Sequence, residues 1–263
     1  MATRALPGST IGSSADKKAS RDGTGIQGVF FDLGGTLYSY EGRSADHQRL
    51  LEQAVRQMGL KLTVEEIGDA HSRASLKVAH AYADKEYYLH AELFRDMFIQ
   101  FCTEAGGEFD FALWQSYQPG YDAAVLEALK LRADCRSTLV ELRERGYYTA
   151  IASNIDQQML DALVEREALH ELFDDWTSSE EAQSCKPHGL FFDCTQDKSG
   201  LDVGDILFVG DSPEHDIQGG YSAGMRTALI VEPGVQPPLQ TGKEQIAADF
   251  EISALADLLD ILD

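Results

Sequence analysis

Cysteine is scarce and scattered in this 263-residue chain. The four thiols, Cys102, Cys135, Cys185 and Cys194, form no C-x-x-C pair and no His/Cys spacing of the zinc type. That excludes a zinc ribbon and a disulfide framework, and it fits a reducing compartment, so a cytoplasmic location is expected. Positive charge is scarce too: 22 Lys and Arg stand against 44 Asp and Glu, a formal net charge of -22. A field of that sign repels polyanions, so nucleic acid and anionic membrane surfaces are not expected partners. A small anionic ligand remains compatible, because a bound cation or a few donors can dominate the field inside a pocket. No apolar run approaches the roughly 20 residues that span a bilayer, and no internal repeat is evident.

The first 25 residues, MATRALPGSTIGSSADKKASRDGTG, have no apolar core of the kind a secretory signal needs. Their Gly, Ser, Thr and Ala content reads as a mobile N-terminal tail. The lack of acids before Asp16 is also the composition of a transit peptide.

What is present is enough for one large domain or for a core carrying an insert. Apolar runs at 26-IQGVFFDL-33, 147-YYTAIAS-153, 205-DILFVGD-211 and 226-RTALIVE-232 read as strands. Helical stretches lie between them, such as 136-RSTLVELRERG-146, whose Gly146 suits a helix C-terminus. The last ten apolar-rich residues, 253-SALADLLDIL-262, read as a covering helix with Ser253 as N-cap. Strands alternating with helices predict an α/β fold, a doubly wound parallel sheet covered on both faces.

Between the first two strands the pattern is purely helical. In 47-HQRLLEQAVRQMG-59, Leu50, Leu51, Ala54, Val55 and Met58 form one apolar stripe, and Thr63 with Glu66 forms a capping-box pattern. This predicts a helical cap over residues 43–131 inserted into a core made of 26–42 and 132–263. The return to the core is expected to begin at Asp110–Gln118, near Trp114 and Pro119.

Polar residues gather at the C-terminal ends of the strands, where ligands bind in open α/β sheets. They are Asp32, Ser153 with Asn154, and Asp211, followed by Glu214 and Asp216 in 208-FVGDSPEHDIQGG-220. Lys186 falls in 184-SCKPHG-189, just before a helix that Pro187 could begin. Each has an ordinary alternative: Asp32 as a turn former, Ser153 and Asn154 as N-caps, Lys186 as a solvated lysine, and Glu214 and Asp216 as loop solvators. Their ordered recurrence along one sheet edge is what favours a site.

These residues resemble the haloacid dehalogenase superfamily, in particular its phosphatase-like members with a helical cap after the first strand. The motifs are 32-DLGGTL-37, 150-AIASN-154, 186-KP-187 and 210-GDSPEHDIQGGYSAG-224, with Gly220 where alanine is usual. The resemblance covers nearly the whole chain after the tail. It implies a Rossmann-like core and a hydrolase using Mg²⁺ on a small phosphorylated metabolite. It implies Asp32 as the nucleophile that forms an aspartyl-phosphate, with Mg²⁺ on Asp32, Asp211 and the carbonyl of Gly34. Ser153 and Lys186 would bind phosphoryl oxygens. Asp216 would orient Lys186 or a metal-bound water, and Asn154 would support the loop or touch substrate.

One departure stands out in that pattern. Gly34 occupies the place where such phosphatases carry a second aspartate to protonate the leaving oxygen, help worth roughly 10² to 10⁴ in rate. Tyr38, Tyr40, Glu41 or His47 could supply the proton instead. Alternatives are a C–P or C–halogen hydrolase of the same superfamily, the former needing a cap lysine such as Lys61, Lys77 or Lys85, and a weakly active phosphate- or metal-binding module. Tyr82, Tyr87, Tyr88, His90 and His47 could line a substrate pocket or merely pack.

Overall fold

The structure, a computed structural model, describes residues 25–39, 45–235, 237, 240–241 and 246–262. Apart from Gly25, the expected mobile tail lies outside these residues, as do Tyr40 and Glu41.

Strand β1 (Gly28–Phe31) leads through the 32–37 turn to a two-residue strand β2 (Tyr38–Ser39). Four helices follow: α1 (Ala45–Gln57), α2 (Val64–Tyr82), α3 (His90–Glu104) and α4 (Phe111–Ala128). The chain returns through β3 (Lys130–Leu131), which pairs antiparallel with β2, so the helical insert leaves and re-enters at one place. Next come α5 (Cys135–Arg145), β4 (Tyr148–Ser153), α6 (Gln157–Arg166), β5 (Asp175–Ser178), α7 (Ser179–Ala182) and α8 (Gly189–Ser199). The chain ends with β6 (Ile206–Gly210), α9 (Gln218–Ala223), β7 (Arg226–Ile230), β8 (Phe250–Ile252) and α10 (Leu258–Ile261).

The main sheet has the order β5-β4-β1-β6-β7-β8, with every pair parallel. Alternation along β1 divides the core. Val29 and Phe31 pack with Leu139, Leu142, Leu160 and Leu163 of α5 and α6. Phe30 faces the other way, against Phe191 and Phe192 of α8. Both faces are thus covered by helices, the doubly wound arrangement that the apolar strands require. The order in which strands are added reverses at β1: β4 and β5 lie on one side and β6 to β8 on the other, so a crevice opens beyond the ends of β1 and β6.

The insert has its own apolar cluster, in which Leu51, Ala54, Val55, Phe98, Phe101, Leu113, Trp114 and Tyr117 meet. Asp110–Gln118 is therefore not the return to the core. Asp110 caps α4 by accepting from the amide of Ala112, and the helix runs through Pro119 to Ala128. The apolar face carrying Trp114 and Tyr117 holds it together despite the missing proline N–H. The end of the chain also differs from expectation. A 3₁₀ turn (Leu255–Asp257) precedes the single turn of α10, because the Asp257 carboxylate accepts from the amides of Ser253 and Ala254 and tightens the start. Strands β5 and β8 go beyond the expected set. They are edge strands of four and three residues, too short and too polar to show an apolar run.

Arg132, just past β3, fixes the turn that follows β1. Its Nε donates to the carbonyl of Thr36 at 2.9 Å, and its Nη2 donates to the carbonyl of Gly35 at 2.7 Å and to Glu232 at 2.9 Å. Arg132→Met is expected to lower stability by about 2–4 kcal/mol, because it strands a largely buried Glu232 and two carbonyls. Arg132→Lys should recover only part of this, since one ammonium cannot span the fork. Urea melts of the three proteins decide it, and equal midpoints would sink the assignment.

Candidate active site

Asp32 follows β1 directly, and its amide donates to the Val209 carbonyl of β6 at 2.9 Å. The carboxylate is buried at the crevice. Ser153, the last residue of β4, donates from Oγ to Asp32 Oδ1 at 3.0 Å, and Lys186 Nζ donates to the same oxygen at 2.6 Å. Lys186 also donates to Asp216 Oδ1 at 2.7 Å and to the Ala152 carbonyl at 3.0 Å. Burial alone would lower the Lys186 pKa, but Asp216 and Asp32 outweigh it and hold the ammonium above its ordinary value.

The turn after β6 sets the two remaining acids. Ser212 Oγ accepts the amide of His215 at 3.1 Å, and its carbonyl accepts the amides of Asp216 at 2.9 Å and Ile217 at 3.2 Å, the latter closing a π turn (Pro213–Ile217). That turn aims Asp216 back under β6, where Oδ2 accepts the Ser212 amide at 2.9 Å. Gly210 makes the approach possible, for a Cβ there would lie 2.3 Å from the Asp216 carboxyl. Gly220 has a similar reason: a Cβ would press on Thr227 Cγ2 at 3.1 Å and Phe208 Cβ at 3.3 Å.

Carboxylate oxygens of Asp32, Asp211 and Asp216 lie within 4.8 Å of one another. Burial first, and then the charges of Asp32 and Asp216, push the Asp211 carboxyl up to about 9. Asp216 is raised to about 6, again chiefly by burial, with Lys186 opposing. Three buried acids facing one ammonium lack a positive charge, and an all-oxygen set suits a hard divalent cation such as Mg²⁺. Asp32 and Asp211 have the carboxylates for it. Asp216 has both oxygens occupied by Lys186 and Ser212, which favours the orienting position.

Asn154 spends both ends of its amide on Lys186. Its Oδ1 accepts the Lys186 N–H at 2.7 Å and its Nδ2 donates to the Lys186 carbonyl at 3.1 Å. Support of the loop is the role these bonds display. Pro187 does not begin a helix; α8 starts at Gly189 after His188.

The insert meets the core over this site. Asp156, three residues after Ser153, accepts the α3 amides of His90 at 2.7 Å and Ala91 at 2.9 Å, so the N-terminus of that helix rests on the Ser153 loop. Cys185 donates its amide to the Glu86 carbonyl at 2.7 Å, next to Lys186. Between them lies a cavity of about 20 Å³, room for a water, lined by Tyr82, Lys85 and Tyr88 from the insert and Lys186, His188 and His215 from the core. Sequence patterns do not single out Asp156, His188 or His215; Asp156 in the run 153-SNID-156 reads as an ordinary N-cap, and only the packed helix shows which amides it accepts.

Two of the proposed substitute acids lie elsewhere. Tyr38 is fully buried beside Arg166, Glu167 and Cys135, and burial raises its phenol well above the ordinary value. His47 lies inside the helical insert, in contact with Tyr117 Oη at 2.9 Å and packed on His71 and Tyr121. Of the cap lysines, Lys77 pairs with Glu104, Lys61 borders a groove at α1 and α2, and Lys85 lies over the Tyr82 ring at 3.4 Å.

A family model described as haloacid dehalogenase-like hydrolase matches residues 26–224. The ribulose-1,5-bisphosphate 5-phosphatase of Halopiger xanaduensis is 28% identical over 243 residues, 89% of this chain and 98% of that protein. The glyceraldehyde 3-phosphate phosphatase of Methanopyrus kandleri is 26% identical over 238 residues, 90% and 97% of the two chains. Among solved structures, the magnesium-bound hydrolase YfnB of Bacillus subtilis superposes with a TM-score of 0.69 at 22% identity, covering 90% of this chain and 99% of its own, a likeness of fold.

Proposed function

The chain belongs to the haloacid dehalogenase-like hydrolases, and we propose that within them it is a Mg²⁺-dependent phosphatase of small phosphomonoesters, acting through an aspartyl-phosphate on Asp32. The observation that carries this is the buried set in which Asp211 and Asp216 stand within 4.8 Å of Asp32. Asp216 could hold Lys186 in either chemistry, but metal-free attack on carbon gives Asp211 no task, whereas a phosphoryl group carries negative charge that a cation on Asp211 and Lys186 would offset. The phosphatase names of the relatives of similar length point the same way.

In this reading Asp32 attacks phosphorus with one carboxylate oxygen; the Asp32–phosphorus bond forms as the bond to the leaving oxygen breaks. Ser153 Oγ and Lys186 Nζ, both already aimed at the Asp32 carboxylate, take phosphoryl oxygens as charge develops on them. Asp216 fixes Lys186 through its 2.7 Å bond. Bound to Asp32, Asp211 and the Gly34 carbonyl, Mg²⁺ would supply charge neutralisation at the phosphoryl group. Water then attacks phosphorus and frees Asp32. Residues 43–131 act as the cap that selects substrate over a core of 26–42 and 132–263. A Schiff-base C–P hydrolase is disfavoured because Lys85, the cap lysine that lines the cavity, is exposed and lacks the desolvation that activates an amine.

Aryl phosphate hydrolysis should require Mg²⁺, stop in excess chelator and return when Mg²⁺ is restored. A second readout needs no turnover. Because the folded-state pKa values of Asp211 and Asp216 are raised, the metal-free protein holds these protons more tightly than the unfolded chain does. Their contribution to stability is present below about pH 4 and is lost as pH rises through about 6 and about 9. Mg²⁺ competes with those protons, so its upward shift of Tm should grow across that window and vanish in Asp211→Asn. Full activity in chelator, with no Mg²⁺ effect on Tm, would sink the phosphatase reading.

A further inference from the structure

We propose that the His90 imidazole is the catalytic acid and base of this site, protonating the leaving oxygen and then taking a proton from the hydrolytic water. The proposal rests on the phosphatase reading above. An alkyl leaving oxygen needs a proton, and the side chains bonded to Asp32 and their partners are already committed. Ser153 and Lys186 donate to Asp32, Asp216 holds Lys186 and the Ser212 amide, Asn154 clasps the Lys186 backbone, and position 34 has no side chain.

His90 Nε2 differs from all of these: it is sealed from solvent and has no hydrogen-bond partner among the described residues. A buried polar nitrogen without a partner is costly, and a ligand or water held in the site would satisfy it. The residue is well fixed. Its amide is held by Asp156, on the loop that carries Ser153. Its ring stacks on Tyr88, with centroids 5.7 Å apart and planes 6° apart, and Phe94 packs edge-on at 5.6 Å. Tyr88 in turn lines the cavity with Lys186 and His215, which puts His90 at the seam between insert and core.

The charged groups acting on His90 are Asp156 and Asp32, which raise its pKa, and Lys186, which lowers it; His215, across the seam, also interacts with it. Burial outweighs them and pushes His90 down to about 4, so the imidazole is neutral in the empty site at pH 7. A phosphomonoester brings negative charge and, as its monoanion, the proton itself. Imidazolium then gives that proton to the departing oxygen as the phosphorus–oxygen bond breaks and the Asp32–phosphorus bond forms. The neutral ring removes a proton from water as the new oxygen–phosphorus bond forms, and Asp32 leaves as carboxylate. The imidazolium returns that proton to phosphate, which departs as its monoanion and leaves the ring neutral. His188 is the rival, since its Nε2 is also buried without a partner among the described residues, but it lies on the core side of the cavity at the start of α8.

The test is kcat/KM with Mg²⁺ for phosphomonoesters of graded leaving-group pKa, in the unaltered protein, His90→Gln, His90→Ala with and without added imidazole, and His188→Gln. His90→Gln should lower alkyl phosphate turnover by roughly 10²- to 10⁴-fold and aryl phosphate turnover far less, steepening the leaving-group dependence. Imidazole should partly rescue His90→Ala on alkyl substrates. A loss equal for all leaving groups and untouched by imidazole would mean that His90 is structural and would overturn the proposal, as would a steepening produced by His188→Gln instead. If the unaltered protein hydrolyses no phosphomonoester at all, the phosphatase reading falls and takes this assignment with it.

Discussion

Asp32→Asn is expected to lower turnover by on the order of 10⁴- to 10⁶-fold, the scale seen when a nucleophile is removed, while the chain still folds. Asparagine is nearly isosteric, and its Oδ1 can still accept from Ser153 and Lys186, which meet Asp32 at 3.0 and 2.6 Å. What it loses is the negative charge and the reactive oxygen. The same charge is a burden to the metal-free fold, because Asp32 is one of the groups pushing Asp211 up to about 9. Without Mg²⁺ the variant should therefore melt no lower than the unaltered protein, the usual opposition between a crowded site and stability. Acid-quenched phosphoenzyme trapping, read with the aryl phosphate rate, separates the two effects. Wild-type turnover by Asp32→Asn would remove Asp32 from the nucleophile's role.

Lys186→Met carries the next largest effect, on stability as well as rate. The ammonium is buried against Asp32 and Asp216, with side-chain exposures of 2%, 10% and 1% for the three residues. Deleting one partner of such a pair leaves uncompensated buried charge, a loss of about 3–5 kcal/mol. At roughly 2–4 °C per kcal/mol for a chain of this size, Tm should fall by about 6–20 °C. The loss should shrink toward low pH. Without the ammonium the folded carboxyls bind protons still more tightly than in the unfolded chain, so protonation restores what deprotonation costs. Adding Asp216→Asn should recover part of the deficit, a positive coupling that marks a direct pair. A drop in Tm of less than about 2 °C, or strict additivity in the double variant, would mean that the cluster is held by something other than this ammonium.

Much of this molecule is legible in its amino-acid order. The apolar runs ending in Asp32, Ser153 and Asp211 are the three strands that meet at the crevice, because a parallel strand buried on both faces must be apolar along its length and can turn polar only where it emerges. Lys186 alone reads as a solvated lysine and is legible only through its place in the ordered set and the resemblance of 186-KP-187, and its Nζ does join Asp32 and Asp216. The helical block after the first strand is legible by its apolar stripe, and only the role of Asp110–Gln118 within it is misread, because a proline in a helix is tolerated when its neighbours pack as Trp114 and Tyr117 do. The edge strands β5 and β8 are not legible, since three or four residues at a sheet margin carry too little periodicity to register.

By itself the sequence determined the chemistry on offer: acids, a hydroxyl and a lysine at the sheet edge, a glycine two residues after the first acid, and an excess of acids over bases. Those are properties of residue type and strand periodicity, which are local. Only the tertiary structure decided which distant groups close the site. Asp156 rests the α3 N-terminus on the Ser153 loop, Gly210 admits the Asp216 carboxyl, and His90 rather than His47 comes to the seam, its Nε2 unpaired among the described residues. Each depends on how the helical insert sits on the core, a packing set by contacts between residues far apart in sequence that no pattern within either segment encodes.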